Sequence, residues 1–246
     1  MRALVWYSDG AASAVAAKLA VEKYGSACEV IKCDTTGDEH EDNIRFRRQV
    51  ERWIGQQIKL IRSTEFMGID DVFERTRYMA GLAGARCTTE LKKLPRLAYQ
   101  MPDDIHIFGY TADEEKRIND FEANNPELRC DWILRDQSIT KLATLQMLRR
   151  AMIRLPVMYS LGFDHNNCLG CVKATSPSYW NRTRQVFPEV FERRARQSRE
   201  IGARLVRVKG KRIFLDELDP SEGLDGPDGD IECGPFCHMP VEEIDA

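Results

Sequence analysis

Short apolar runs alternate with longer amphipathic segments along the first 155 residues of the chain. Short runs bounded by polar turns indicate buried strands, and apolar residues spaced three and four apart indicate helices. Strands that alternate with helices favour a parallel sheet with crossover helices. The sequence therefore predicts an α/β fold with a doubly wound, mostly parallel sheet and helices on both faces. The predicted strands are residues 3–7, 29–33, 58–61, 105–109 and 130–134, and the predicted helices are residues 11–24, 41–54, 69–79, 90–99, 113–122 and 140–152.

The regular alternation stops near Pro156. Beyond it come a loop rich in Asn and Cys, a predicted helix over residues 187–202, and a predicted hairpin over residues 205–208 and 212–215 that turns at Gly210. Residues 219–230 are mostly Asp, Glu, Gly, Pro and Ser, a composition typical of a mobile linker. We therefore predict three parts: an α/β domain over 1–155, a Cys-x-x-Cys loop with a helix and hairpin packed on it over 156–218, and a flexible tail over 219–246 that carries Cys233 and Cys237.

Composition and charge narrow the class of protein. With 246 residues and 43% apolar content, the chain can bury one substantial core with appendages. The formal net charge of -3 provides no overall field that would attract nucleic acid or an anionic membrane. The sequence contains no apolar stretch of membrane-spanning length and begins with a strand instead of a signal peptide, so we expect a cytoplasmic protein. Eight cysteines in that compartment favour metal ligation or redox chemistry over disulfides.

A loop of small residues joins the first predicted strand to the first predicted helix. The segment S-D-G-A-A-S, residues 8–13, can direct backbone N–H groups towards an anion, and Ser8, Gly10 and Ser13 are its predicted phosphate-binding residues. An ordinary capped turn would have the same composition. Asp34 and Gly109 end two further predicted strands, and the carboxyl ends of parallel strands are where ligands collect.

Further motifs follow this loop in a fixed order. They are D-T at 34–35, Cys87 with E-L-K-K at 90–93, G-Y-T at 109–111 with D-E at 113–114, C-x-x-C at 168–171 and E-C-G at 232–234. In this order they resemble the phosphoadenylyl and adenylyl sulfate reductases, the sulfonucleotide reductase family of the adenine nucleotide alpha-hydrolase-like superfamily, over nearly the whole chain. The loop departs from the S-G-G-x-D-S of the ATP-pyrophosphatase branch at Asp9 and Ala12, which disfavours ATP cleavage.

The resemblance implies an enzyme that releases sulfite from adenylyl sulfate or phosphoadenylyl sulfate. Cys233 would attack the sulfate sulfur, and a thioredoxin-like thiol partner would complete the reduction. For Lys93 and Arg96 we expect a solvated helix face. The implied nucleotide-binding residues are Ser8, Gly10, Ser13, Asp34 and Gly109, with Lys92 and Arg117 at the sulfate end.

The resemblance also implies a cysteine-ligated metal centre. In assimilatory adenylyl sulfate reductases, a Cys-Cys pair well upstream of a C-x-x-C holds a four-iron cluster. Here Cys87 lies 81 residues before Cys168, and Arg86 occupies the other position of the pair. We therefore predict Cys87, Cys168 and Cys171 as ligands of a 4Fe-4S iron-sulfur cluster, with zinc on the same thiolates as the alternative. The fourth ligand is open among a tail cysteine, a substrate group or none, and we predict Cys237.

The tail cysteines have two readings. Cys233 is either the nucleophile or one half of a C-x-x-x-C pair, with Cys237, that completes the metal site. Cys28, Cys33 and Cys130 lie in or beside predicted core strands, where cysteine behaves as a small apolar residue.

Two other functions remain open. One is a cluster-dependent sulfur transferase of the ATP-pyrophosphatase type that thiolates a nucleic acid. The other is an inactive nucleotide-binding protein with a structural zinc. The basic segment 182–199 could contact nucleic acid, but interspersed glutamates weaken that reading, and the nearby Tyr179 and Trp180 are expected in the core. The sequence leaves the oligomeric state open.

Overall fold

The computed structural model describes residues 1–81, 84–223, 226–229 and 231. The chain divides into two compact units built from separated segments. Unit 1 comprises Met1–Thr36, Glu41–Arg62 and Pro95–Pro156, and unit 2 comprises Gly37–His40, Ser63–Leu94 and Val157–Ala246. The three-part division predicted from the sequence stays a prediction. Within the described ranges, none of the helices combines the length and apolarity that a membrane crossing requires.

The elements are numbered along the chain. The strands are β1 (Ala3–Trp6), β2 (Cys28–Cys33), β3 (Lys59–Ile61), β4 (Ala80–Gly81), β5 (Gly84–Ala85), β6 (Ile105–Ile107), β7 (Arg129–Asp131), β8 (Val206–Val208) and β9 (Lys211–Ile213). The α-helices are α1 (Ala11–Tyr24), α2 (Asp42–Ile54), α3 (Ile69–Thr76), α4 (Arg86–Thr88), α5 (Leu94–Tyr99), α6 (Glu115–Asn124), α7 (Ile133–Asp136), α8 (Lys141–Arg150), α9 (Val157–Ser160), α10 (Pro177–Val186) and α11 (Pro188–Ile201). A π-helical turn spans Thr89–Lys93, and 3-10 turns span Gly25–Ala27, Thr36–Asp38, Ala112–Glu114 and Leu215–Glu217.

A five-stranded parallel sheet in the order β3-β2-β1-β6-β7 forms the centre of unit 1. The central strand β1 is buried throughout, and its Val5 lies between Val30 of β2 and Ile107 of β6. The buried face of α1 is mostly alanine, whose small side chain lets the helix lie close to the sheet. The predicted α/β fold is therefore confirmed, and unit 1 is a Rossmann-like domain in which the strand order reverses between β1 and β6.

One predicted strand of unit 1 ends early. Residues 130–134 were expected to be extended, but β7 stops at Asp131, and Ile133 and Leu134 begin the short helix α7. Both side chains are buried, so the apolar pair packs into the core from a helical turn just as it would from a strand. Short apolar runs are ambiguous in this way.

Unit 2 is built mainly from short helices around a second apolar cluster. The cluster takes Phe73 from α3, Met158 from α9, Trp180 from α10, Phe191 from α11 and Val206 from β8. The helix predicted at 187–202 and the hairpin that turns at Gly210 are both present, as α11 and β8–β9. This confirms the predicted C-terminal helical and hairpin region.

Three details of unit 2 differ from the sequence prediction. The helix predicted at 69–79 ends at Thr76, because Arg77 adopts a left-handed conformation with φ of 52°. The predicted loop at 81–86 includes strand β5, and Arg86 already begins α4. Helix α10 was missed, although Ser176 as its N-cap and Pro177 in its first turn are ordinary start signals.

The described part of the predicted linker is held by specific hydrogen bonds. Asp228 is buried; its carboxylate accepts from the backbone N–H of Asp164 at 2.8 Å, and the Asp164 carboxylate accepts from the N–H of Asp228 at 2.8 Å. Arg182 forms an ion pair with Asp228, and the Ser176 hydroxyl donates to its carbonyl. Ile231 is buried in the same apolar cluster as Cys168. The flexibility of residues 219–246 as a whole stays a prediction.

Candidate functional site

The loop predicted to bind phosphate is closed by one hydroxyl group. Ser13 Oγ accepts from the Ser8 backbone N–H and the Ser8 hydroxyl, both at 3.2 Å, and donates to the Gly10 carbonyl at 2.9 Å. Helix α1 begins directly after Gly10 and has, among the described residues, no acidic side chain in its first turn and no side-chain cap. A helix start of this kind presents backbone N–H groups and the positive end of the helix dipole.

Asp9, where the loop departs from the ATP-pyrophosphatase pattern, has a structural role. It adopts φ of 57° and is fully buried. Its carboxylate lies 3.0 Å from the ammonium of Lys32, itself 2% exposed, and 3.8 Å from the guanidinium of Arg47. A left-handed conformation usually favours glycine, although aspartate tolerates it better than most residues. The buried ion pair with Lys32 therefore holds a loop conformation that glycine would adopt without help.

Gly109 brings a second loop against the start of α1. A Cβ atom at Gly109 would lie 2.6 Å from the backbone nitrogen of Ser13, 2.8 Å from its Cα and 3.0 Å from the carbonyl carbon of Ala12. Only glycine fits this approach without moving backbone atoms. The loops after β1 and β6 thus meet where the strand order reverses, which is the usual ligand position in open α/β sheets. The structure brings Ser8, Gly10, Ser13 and Gly109 together.

Asp34 follows β2 at the same edge of the sheet. One carboxylate oxygen accepts from the N–H of Thr36 at 3.1 Å and from its hydroxyl at 2.5 Å, and the other accepts from Arg62 Nε at 2.6 Å. Burial raises the pKa of Asp34, but the hydrogen bonds from Thr36 and Arg62 outweigh it, and the pKa lies below its usual value. Asp34 is therefore an ionised carboxylate at the strand end that accepts hydrogen bonds at both oxygens.

Arg117 of α6 is fixed by its own neighbourhood. Its NH1 donates to Glu114 at 2.6 Å, and its guanidinium stacks 4.1 Å from the ring centre of Tyr110. Glu114 also accepts from the backbone N–H of Thr111, which ties this group to the end of β6. The guanidinium therefore lies at the carboxyl end of β6, on the predicted ligand side of the sheet.

The other predicted sulfate-contacting segment gives mixed results. Lys92 is partly exposed on the π-helical turn Thr89–Lys93, a feature that often marks functional positions. The solvated face expected for Lys93 and Arg96 is wrong, since both residues are buried. Burial lowers the pKa of Arg96 to about 10. A helical pattern of charged residues does not by itself predict exposure, because the long aliphatic stems of lysine and arginine can pack in apolar surroundings.

The C-x-x-C segment of unit 2 is a tight turn tied to a tyrosine. Cys168 and Cys171 are both buried. The backbone N–H of Cys171 donates to the hydroxyl oxygen of Tyr179 at 2.7 Å, and that hydroxyl donates to the carbonyl of Cys168 at 3.4 Å. Burial raises the pKa of Tyr179 well above its ordinary value, so the phenol keeps its proton. One side chain therefore bridges both ends of the turn.

The middle of the turn is held from two other sides. Gly170 adopts φ of 63°, and its carbonyl accepts from Arg194 Nε at 3.3 Å. A Cβ atom at Gly170 would lie 2.8 Å from Val190 and 3.0 Å from Arg194, so glycine is needed here for space as well as for its φ. The N–H of Leu169 donates to the carbonyl of Asp38 at 2.9 Å. Tyr179, Arg194 and Asp38 were not predicted as site residues, because no local motif links them to the cysteines.

The predicted metal ligands are only partly described. Cys87 packs against the same apolar cluster that contains Cys168 and Cys171, and the adjacent Arg86 pairs with Glu90 at 2.8 Å. Among the described residues, no group of three or more His, Cys, Asp or Glu side chains is arranged to hold a metal ion. Cys233 and Cys237 lie outside the described residues, together with the rest of the E-C-G motif. The C-x-x-C turn carries two thiols, and a full metal site needs further donors.

Two other cysteines have the inert character expected of them. Burial raises the pKa of Cys28 to about 11 and that of Cys130 to about 12. Both therefore remain protonated thiols at neutral pH, and thiolate is the reactive form. Cys33 is buried at the end of β2.

No protein-family model, curated protein or solved structure matches this chain. The structural class of the protein is therefore defined by the arrangement of its own strands, loops and side chains. Unit 1 is a parallel α/β Rossmann-like domain whose strand-end loops converge at the switch in strand order, and unit 2 carries a constrained C-x-x-C turn.

Proposed function

We propose that this chain is a sulfonucleotide reductase-like enzyme. Unit 1 binds the phosphates of an adenylyl sulfate or phosphoadenylyl sulfate at the Ser8–Ser13 loop, and Cys233 is the thiol that attacks the sulfate sulfur. Lys92 and Arg117 are the cations assigned to the sulfate end. Cys87, Cys168, Cys171 and Cys237 are the assigned ligands of an iron-sulfur cluster, with zinc as the alternative.

The close approach of Gly109 to the start of α1 is the observation that carries the proposal. It joins a loop of small residues, an uncapped helix start and a second strand end at one point of a parallel sheet. Phosphate groups bind at such points because several backbone N–H groups and the helix dipole act on one anion. The buried Asp9 points into the protein and pairs with Lys32, so it does not oppose an anion in the loop.

The proposed chemistry is two successive displacements at sulfur. The Cys233 thiolate forms a bond to the sulfate sulfur, and the bond from that sulfur to the bridging phosphate oxygen breaks. The nucleotide leaves with the electron pair. A thiolate of a dithiol partner then attacks the Cys233 sulfur, sulfite departs, and the second thiol of the partner releases Cys233 as the partner becomes a disulfide.

Nucleotide binding tests the loop directly. We expect Gly109→Ala to weaken the binding of adenylyl sulfate and AMP about tenfold or more, because the added methyl group forces the two loops apart at a cost of about 1–3 kcal/mol. Isothermal titration calorimetry measures this. Gly37→Ala is the matched control, because a Cβ there meets nothing within 4 Å. Equal affinity in the wild type and Gly109→Ala would place the nucleotide elsewhere.

One observation favours a second candidate, a nucleotide-binding protein in which Cys233 and Cys237 are metal ligands. Ile231 is buried in the same apolar cluster as Cys168 and Cys171, and the sequence needs two more residues to reach Cys233. The clamp between Asp228 and Asp164 anchors the chain just before it. This anchoring supports a role for a tail cysteine as a metal ligand together with the cysteines of the C-x-x-C turn.

A single set of variants separates the two candidates. Wild type, Cys168→Ala and Cys233→Ser are purified without oxygen, assayed for iron, sulfide and zinc, and tested for sulfite release with a thioredoxin-like dithiol. A nucleophilic Cys233 predicts that Cys233→Ser keeps its metal and loses sulfite release. A ligand role predicts that Cys233→Ser loses metal together with Cys168→Ala.

A further inference from the structure

We infer that Tyr179 is the positioning residue of the Cys168–Cys171 turn, and that it sets the spacing of the two thiols before any metal binds. The inference rests on the metal centre of the proposed function. Its basis is the pair of hydrogen bonds at one phenol oxygen, which accepts from the N–H of Cys171 and donates to the carbonyl of Cys168. The hydroxyl therefore spans the turn from its first cysteine to its last.

The phenol is itself held in place from both ends. The backbone N–H of Tyr179 donates to the N-cap hydroxyl of Ser176 at 3.2 Å, and its carbonyl accepts from the Thr183 hydroxyl at 2.8 Å. The ring packs edge-on against Phe163 and Trp180, with centroid separations of 5.6 and 5.2 Å. The contacts of the buried ring hold its hydroxyl group in place. The hydroxyl therefore fixes the position of the turn relative to helix α10.

Arg194 and Asp38 complete the support, since they bind the carbonyl of Gly170 and the N–H of Leu169, the two residues between the cysteines. A turn that is fixed in this way loses little conformational freedom when its thiolates bind an ion. Groups that orient metal ligands typically account for a 10–100-fold difference in metal affinity. We therefore assign that range to the hydroxyl of Tyr179.

Tyr179→Phe is the test, because it keeps the ring and removes the two hydrogen bonds. The full-length chain is stripped of metal under reducing, oxygen-free conditions and titrated with Zn²⁺ and Co²⁺ against a competing chelator. We expect Tyr179→Phe to bind both ions about 10–100-fold more weakly, with weaker thiolate-to-cobalt absorption.

Ser198→Ala is the matched control, since it removes one buried hydroxyl of unit 2 whose hydrogen bond, to the carbonyl of Ala195, lies within helix α11. It is expected to lower stability by about 1–3 kcal/mol, as Tyr179→Phe does, yet keep wild-type metal affinity and the cobalt spectrum. If Tyr179→Phe binds both ions as the wild type does, the inference is wrong and the metal centre stands. If the wild type binds neither ion, the metal centre of the proposed function fails and the inference fails with it.

Discussion

Both units bury a cation next to their candidate site, but they use it differently. In unit 1, Lys32 and Asp9 are 2% and 0% exposed, so both members of the pair have lost their water. In unit 2, Arg194 is 1% exposed, while the side chain of its partner Asp70 is 36% exposed. Arg194 also donates to the carbonyl of Gly170 and to Gln197. In unit 1 a buried ion pair thus holds a loop residue at positive φ, whereas in unit 2 a buried donor with a partly exposed partner holds a turn.

The difference extends to what supports each site. The loop of unit 1 follows from the sheet, because β1 and β6 deliver its residues to one edge. The turn of unit 2 follows from side chains that reach its backbone from α10 and α11. We therefore expect the removal of a buried charged side chain to lower stability more in unit 1. In unit 2 we expect it to change the conformation of the site more than the stability.

The largest effect is expected for Lys32→Met. The substitution removes the ammonium 3.0 Å from the buried carboxylate of Asp9 and leaves the guanidinium of Arg47 at 3.8 Å, and breaking a buried ion pair costs about 3–5 kcal/mol. Urea unfolding monitored by circular dichroism measures the loss. The double variant Asp9→Gly/Lys32→Met is expected to recover most of it, since it removes the charge and places glycine at a positive φ.

Lys23→Met is the matched control for that experiment. Lys23 pairs with Asp131 at 2.8 Å but its side chain is 52% exposed, so its loss should change stability by less than about 1 kcal/mol. A Lys32→Met variant as stable as Lys23→Met would remove the contrast between the two units.

The sequence alone predicts unit 1 better than unit 2, and the reason is physical. Helix α1 matches the prediction from its first residue to its last because Gly10, Gly25 and the alanines between them act locally. The loop at residues 8–13 is local as well. The support of the C-x-x-C turn is not, since Arg194 and Asp70 are 124 residues apart and no spacing rule connects them. Lys93 and Arg96 were misjudged because charge on a helix indicates exposure only when the tertiary packing agrees.

We expect an intermediate loss of stability in unit 1 at low pH. Burial, with a further contribution from Arg96, lowers the pKa of His106 to about 4, and its Nδ1 accepts from Trp6 Nε1 at 3.0 Å. The unfolded chain binds this proton more readily, so the stability is fully present above pH of about 6.5 and is lost as the pH falls towards 4. The loss approaches about 3 kcal/mol. Urea unfolding at several pH values should show a steep acid limb that His106→Gln flattens, and equal slopes in both proteins would assign the limb to carboxylates such as Asp104.

The smallest effect on stability is expected for Arg194→Met in unit 2. The partly exposed Asp70 regains water when its partner is removed, so the cost is mainly that of the carbonyl of Gly170 losing its donor, about 1–3 kcal/mol. The control is Arg193→Met, since Arg193 pairs with the same Asp70 at 3.3 Å from an exposed position and should cost less than about 1 kcal/mol.

Amide hydrogen exchange tests the same contact locally. Arg194→Met should speed exchange at Leu169, whose N–H bonds to the carbonyl of Asp38, because the carbonyl of the next residue, Gly170, is no longer held. If Arg193→Met speeds this exchange equally, the shared Asp70 and not the contact of Arg194 with Gly170 holds the turn.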